Sequence, residues 1–275
     1  MNQYCFLNGE VLPLQDARVS VLDIGLLRGY GIYEALTVIK GKPLHFADHW
    51  QRLERGAKVL NIKVPITKES AEEKIVEIVE KSGFSTRANV RIVLTGGEVL
   101  NGIEHNSLKP TFYMVAEEWK ALPKENFEKG AKLITHKYKR EMPELKTTNY
   151  IVGASLQDIK NQKGALEILY INEGKVLECA TSNIFLVKDG VLITPEKDIL
   201  EGVTRKIVLE LAQGVYNIEK REVSFEEIKS ADEVFITASF KDIVPVVMVD
   251  NFNIGDRVVG KVTKDFIERF TKYLS

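Results

Sequence analysis

Four short segments hold residues whose types and spacing could do chemistry. In Leu145-Lys146-Thr147-Thr148-Asn149-Tyr150 a lysine stands among small polar residues just ahead of a helix-like stretch. A lysine so placed can act as a covalent nucleophile. In Leu177-Glu178-Cys179-Ala180-Thr181-Ser182-Asn183-Ile184-Phe185 an acid enters a run of small residues before an apolar strand. Its carboxylate is expected to be buried and to need a partner. In Ile199-Leu200-Glu201-Gly202-Val203-Thr204-Arg205, Thr204 opens a helical pattern, and its hydroxyl with the free amides of a first turn makes an anion site. In His49-Trp50-Gln51-Arg52-Leu53, His49 and Arg52 share one helix face while Leu53 starts the apolar one. Each segment taken alone has a plain reading: one lysine among many, a turn acid, an ordinary Ser/Thr-type cap, a solvated arginine. Their order and spacing along one chain give them weight.

Other chemistries lack their residues. His45 and His49 stand four apart, close enough to share a metal on one helix face. No third ligand of the usual spacing follows, so no metal is expected and the two histidines read as surface or capping residues. The segment Gly25-Leu26-Leu27-Arg28-Gly29-Tyr30-Gly31 is glycine-rich but has neither dinucleotide nor phosphate-loop spacing, and no G-x-S-x-G elbow occurs. With 38 basic and 39 acidic residues the net charge is -1, which argues against nucleic acid or an anionic membrane as partner. Two cysteines, Cys5 and Cys179, make no disulfide framework. Residues 1–10 lack the basic start and apolar core of a signal peptide, and no apolar run approaches the roughly 20 residues of a membrane span. A reducing cytoplasm is the expected location.

The elements that must position these residues read as α+β. A chain of 275 residues exceeds one small core, and the pattern divides it into an α/β part over 1–117, a charged linker over 118–129 and a larger part over 130–275. In the first part a strand at 4–7 meets the hairpin turn Asn8-Gly9. Helices are expected at 47–60, with Asp48 at the N-cap, and at 68–81; strands at 88–94 and 111–116; a loop at 96–106. The later part reads as strands at 131–135, 167–171, 183–187, 191–194, 234–237 and 246–249. Helices are expected there at 150–161, 204–213 and 255–273.

In order and spacing the four segments resemble the class IV aminotransferases: branched-chain aminotransferase, D-amino-acid aminotransferase and aminodeoxychorismate lyase. The resemblance runs from Leu7-Asn8-Gly9 to Pro245-Val246. It implies a fold type IV pyridoxal-phosphate (PLP) enzyme: a small α/β domain and a larger domain with a barrel-like β core, the active site between them, and a homodimer. It also implies roles. Lys146 matches the Schiff-base lysine that shuttles the proton. Tyr150 matches the tyrosine on the cofactor phenolic oxygen, and Glu178 the acid on the pyridine nitrogen. Arg52, Val203, Thr204 and Ser239 match the phosphate contacts, and Leu200 the leucine on the ring face.

The substrate side departs from the usual patterns. Tyr33 matches the tyrosine of the usual D-amino-acid enzymes, but their Arg-x-His is missing, since residues 96–105 hold no arginine. The branched-chain enzymes carry Tyr-x-Arg where this chain has Asn89-Val90-Arg91. Arg28 falls where the common pattern has an aromatic. Arg28 and Arg91 are therefore expected to clamp the substrate carboxylate, with Arg28 crossing from a second subunit; the plain alternative pairs Arg28 with Asp23 or Glu34. Phe240, Lys241 and residues 98–103 are expected to shape the pocket. Glu34 after Tyr33 follows the transaminase pattern, where the lyases tend to carry threonine. The reading reached is a D-amino-acid transaminase. Branched-chain L-amino-acid transamination is second and the lyase third. The non-enzyme alternative is a protein that only binds PLP or a phosphate metabolite.

Overall fold

The computed structural model of the protein describes residues 3–275. They form two compact units. One runs to Lys120 and adds Leu145–Tyr150; the other comprises Ala121–Glu144 and Ile151–Ser275. The turning point lies within the stretch expected as a linker, but that stretch is not a bare connector. It holds a short helix, Glu125–Glu128, and its Leu122 and Phe127 pack onto the second unit's core.

The first unit is an antiparallel sheet. Its strands are β1 (Tyr4–Leu7), β2 (Glu10–Pro13), β3 (Gly31–Ile39), β4 (Lys42–Pro43), β5 (Arg87–Thr95) and, after a small separate hairpin of β6 (Val99–Asn101) and β7 (Glu104–His105), β8 (Thr111–Glu118). The order across the sheet is β2-β1-β8-β5-β3-β4. The expected loop over 96–106 thus contains the β6–β7 pair. Three helices belong to this unit: α1 (Ile24–Arg28), α2 (Phe46–Val59) and α3 (Lys68–Lys81). Ala71, Ile75, Ile78 and Val79 recur at helical spacing on α3 and enter the core with Trp50, Leu53 and Ala57 of α2. Asp48 is not the N-cap of α2. His45 holds that position in left-handed backbone, φ 51°, and Asp48 sits in the first turn, where its carboxylate meets His45 Nδ1 at 2.9 Å.

The central strand β3 has a broken period. Ile32, Leu36 and Val38 point into the core, yet the fourth inward position is Glu34. Its carboxylate is accommodated because α2 supplies charged partners from the same face. Arg52 donates through Nε to Oε1 at 2.8 Å and through Nη2 to Oε2 at 2.7 Å, and His49 Nδ1 lies 2.7 Å from Oε2. All three side chains are buried, so His49 and Arg52 are not the surface residues that composition suggests. Burial opposes ionisation of Glu34, but the Arg52 guanidinium outweighs it and brings the carboxyl to about 2. Burial likewise opposes the charge on Arg52, and Glu34 overcomes it. His49 is pushed down from its ordinary value, first by burial and further by the nearby Arg52 and Lys146 charges.

The second unit is built on a mixed sheet. Its strands are β9 (Ala131–Lys137), β10 (Glu167–Asn172), β11 (Lys175–Cys179), β12 (Asn183–Lys188), β13 (Val191–Thr194), β14 (Asn217–Lys220), β15 (Val223–Ser224), β16 (Glu233–Ala238), β17 (Asp242–Val249) and β18 (Phe252–Asn253). The order is β14-β13-β12-β16-β17-β9-β10-β11-β15, with β18 on β17. β9 runs parallel to β10 and β17. Its helices, following Glu125–Glu128 (α4), are α5 (Ile151–Ser155), α6 (Gln157–Gln162), α7 (Val203–Ala212), α8 (Phe225–Lys229) and α9 (Lys261–Leu274).

Two helices differ from the sequence pattern. The one expected over 150–161 is the pair α5 and α6. Ser155 Oγ and Gln157 Nε2 donate to the Val152 and Gly153 carbonyls, competing with the helical ladder at the break. The last helix starts at Lys261 rather than Gly255, because Glu233 caps it from β16. That carboxylate accepts the Val262 and Thr263 amides at 3.0 and 2.7 Å and the Thr263 hydroxyl at 2.7 Å. A Cβ at Gly260 would collide with the Glu233 side chain.

Glu233→Ala should destabilise the protein by about 2 kcal/mol, since it strands two amides and a hydroxyl; an unchanged urea midpoint would refute the cap. Glu34→Gln should cost about 3 kcal/mol near neutral pH by leaving Arg52 buried without its counter-charge. Because folding lowers the Glu34 pKa from 4.5 to about 2, its contribution is complete above 4.5 and is lost as pH falls through about 2. The stability gap between wild type and Glu34→Gln should therefore stay constant from pH 6 to 8 and narrow below about 4.5, as followed by denaturation at each pH.

Candidate active site

Lys146 belongs to the first unit because its neighbours do. Leu145 is buried in that unit's core. The following backbone lies along β3: Tyr33 N–H donates to the Lys146 carbonyl and Thr148 N–H to the Gly31 carbonyl, both at 2.9 Å, and Thr147 bridges Ile32. Gly31 allows this approach. A Cβ there would stand 2.9 Å from the Leu94 carbonyl oxygen and 3.3 Å from the Thr148 hydroxyl.

The Lys146 side chain ends 4.4 Å from the centroid of the Tyr33 ring, and the Tyr33 and Tyr150 rings meet edge to face at 5.6 Å. The Arg52 charge is felt at Tyr33 and Tyr150, and that of Lys146 at His49. One amine, two phenols and one guanidinium are thus gathered in one unit, with Glu34 behind the guanidinium.

The second unit fixes the other set. Glu178, the penultimate residue of β11, is buried and ion-paired with Arg140, which donates to Oε1 through Nε at 2.8 Å and Nη2 at 2.7 Å. The Leu200 amide donates to Oε2 at 3.0 Å, and Asn183 Nδ2 holds the Leu200 carbonyl at 2.7 Å. Arg140 Nη2 also bonds the Pro143 carbonyl. A buried cation and an amide on one carboxylate hold it immobile. Arg140 carries no signal of its own in the sequence: its bond spans 38 residues. Cys179 beside Glu178 is no nucleophile, since burial pushes its thiol well above the ordinary value.

α7 begins at Val203 with Gly202 at its N-cap and no capping side chain. Thr204 is buried in the first turn. Gly202 is required by Asn183, whose Oδ1 would lie 2.0 Å from any Cβ. Ser239 and Phe240 are half-buried in the turn joining β16 to β17. Lys241 in that turn bonds the buried Glu167 and the Thr181 and Ser182 hydroxyls, a connection the sequence pattern does not show.

Arg28 and Arg91 are not brought together. Arg91, mostly exposed on β5, pairs with Glu117 at 2.7 Å through Nε. Arg28 is exposed at the end of α1 and donates to the Leu27 carbonyl at 2.8 Å. It pairs with neither acid weighed for it. Asp23 is buried, capping α1 at Gly25 N and accepting the Thr95 and Thr111 hydroxyls at 2.8 and 2.5 Å, and Glu34 is taken by Arg52 and His49. No group of three or more potential metal-ligating side chains occurs among the described residues, and no helix among them is long and apolar enough to cross a membrane.

Residues 31–249 match the model of amino-transferase class IV. A putative branched-chain-amino-acid aminotransferase of Methanocaldococcus jannaschii is 33% identical over 276 residues, covering 96% of this chain and 94% of that one. A D-alanine aminotransferase of Listeria monocytogenes is 27% identical, covering 97% and 96%. The solved branched-chain amino acid aminotransferase of Escherichia coli superposes with a TM-score of 0.93 at 26% identity, covering 100% of this chain and 95% of that one. A second solved branched-chain amino acid aminotransferase, with pyridoxamine 5'-phosphate, gives the same TM-score of 0.93 at 29% identity, covering 100% and 94%. The cofactor of the family is PLP, and the donor chemistry of each unit fits it: in one an amine beside two phenols, in the other a carboxylate held by a guanidinium and an amide, and a helix start with a buried threonine. The chain belongs to the class IV aminotransferases and has their fold type IV architecture.

Proposed function

We propose that this aminotransferase moves an amino group between a D-amino acid, such as D-alanine or D-glutamate, and a 2-oxo acid such as 2-oxoglutarate or pyruvate. The observation that carries the proposal is the sheet face around Tyr33. In the β3–β5 register Tyr33 pairs with Val93 and Ala35 with Arg91, so Tyr33 and Arg91 share the face opposite the core. Where the branched-chain pattern has a tyrosine two positions before the arginine, this chain has Asn89, buried, with an Oδ1 that has no hydrogen-bond partner. Tyr33 and Arg91, with Arg28 reaching in from a second subunit, would hold the substrate carboxylate. Arg91 would exchange Glu117 for it at little cost, because that pair is half exposed.

Lys146 is the residue assigned to carry the proton at the substrate Cα, as an amine that alternates between neutral and charged forms. Tyr150 would bond the cofactor's phenolic oxygen and Glu178 its ring nitrogen, with Arg140 and the Leu200 amide fixing that carboxylate. Arg52, the Val203 and Thr204 amides, and the Thr204 and Ser239 hydroxyls would hold the phosphate. Leu200 would pack on the ring face, and Phe240 would border the substrate. PLP, when bound, supplies an electron sink for the bond broken at Cα. A homodimer in the cytoplasm belongs to the same proposal.

Branched-chain L-amino-acid transamination is the second reading, favoured by the Methanocaldococcus relative, which is named for it. The test is a half-reaction. The PLP-loaded enzyme is mixed separately with D-alanine, D-glutamate, L-leucine and L-glutamate while its visible spectrum is followed. The proposal expects rapid bleaching of the cofactor band with the D-forms alone, and about a tenfold rise in the D-substrate requirement for Arg28→Ala. Bleaching by L-leucine and L-glutamate instead would transfer the assignment to the branched-chain enzyme.

A further inference from the structure

The start of α7 contains a charge that no described group of its own unit neutralises. Arg205 is the third helical residue, where the helix dipole disfavours a cation. Its side chain is nonetheless buried, with the residue 7% exposed. Nε donates to Thr194 Oγ1 at 3.2 Å and Nη2 to the Pro195 carbonyl at 2.9 Å. Both acceptors are neutral. Thr194 is itself oriented by donating to the Ile184 carbonyl at 2.9 Å, so the end of β13 holds Arg205 and Arg205 holds the first turn of α7. Among the described residues it has no carboxylate partner; Glu196 and Glu201 are exposed and act only at a distance. Beside it, Thr204 is buried in the first turn, and no side chain caps the helix. A buried cation with neutral partners lowers stability unless an anion joins it.

We propose that Arg205 is a positioning residue for the cofactor phosphate: it pins the first turn of α7 to β13 and leaves a buried positive charge there whose counter-ion is the phosphate dianion. The proposal rests on the assignment of that turn to the PLP phosphate. It separates Arg205 from Arg52, which meets the phosphate with its own donors. Arg205 acts through the amides and hydroxyl of the turn and through the local field, so its effect depends on the phosphate and not on the rest of the cofactor.

The experiment compares PLP with pyridoxal, which lacks the phosphate, in absorbance titrations of the apoprotein, with thermal midpoints of the apo forms. Arg205→Met should weaken PLP at least about tenfold, leave pyridoxal within about twofold, and leave the apo midpoint unchanged or raised. Arg205→Lys, which keeps the charge, should retain most of the selectivity for PLP. Equal weakening of both ligands, or of neither, would overturn the proposal and reduce Arg205 to a structural pin. Should Arg205→Met not fold, Thr194→Val, which removes one anchor of the guanidinium, decides on the same ratio: a loss confined to PLP supports the proposal, and a loss shared with pyridoxal defeats it. If wild type bound pyridoxal as tightly as PLP, the phosphate assignment itself would fall.

Discussion

A carboxylate in the middle of a sheet core must find cations, and in the first unit Glu34 finds Arg52 and His49. Much else follows from that constraint. α2 has to lie against β3 with His49 and Arg52 turned inward, so its apolar stripe of Trp50, Leu53 and Ala57 is interrupted by a charged one. The guanidinium is then held on two atoms by Glu34 and cannot wander as a surface arginine would. β3 in turn serves as the rail for the segment after Leu145, whose backbone bonds deliver Lys146 to Tyr33. The buried charge costs desolvation, and the return is a fixed geometry around the Lys146 amine.

The second unit uses the same device more than once. Glu178 is fixed by Arg140 and the Leu200 amide, and Glu167 by Lys241 with two hydroxyls. Each pair ties a strand to a turn carrying residues of the proposed site: Leu200 in the first case, Ser239 and Phe240 in the second. Asn183 joins the scheme through the Leu200 carbonyl and through the space it denies to any side chain at residue 202. Immobile donors and acceptors are what a polar cofactor needs, since nothing then reorganises when charge develops on it.

The two arginines proposed to hold the substrate are placed differently. Arg28 and Arg91 are exposed, and they bond a neighbouring carbonyl and a surface acid. Their charges are solvated and easily redirected, whereas those around Glu34 and Glu178 are not. This division suits a family in which the cofactor is constant and the substrate varies: specificity changes at exposed positions disturb no buried pair.

The order of motifs along the chain singled out Lys146, Tyr150, Arg52, Glu178 and the Val203-Thr204 helix start as candidates, because these residues sit in local patterns of turn, strand and helix that the sequence carries directly. Apolar periodicity likewise located α3 and most of the strands. It missed β3, where Glu34 occupies an inward position and breaks the alternation, and it ran the last helix too early, because the cap comes from Glu233 on another strand. Arg140, the partners of Lys241 and the burial of His49 were out of reach for the same reason. Each depends on a partner 15 to 74 residues away, and a side chain's type says only that a partner is needed, not which one the fold brings to it. The separation of Arg28 from Arg91 was likewise decided by packing, and the two acids nearest Arg28 in the sequence, Asp23 and Glu34, are consumed by a helix cap and by Arg52. Sequence determined which groups could do the chemistry. Tertiary structure decided which of them hold their charge in place, because desolvation and pairing are properties of the folded neighbourhood and not of the residue.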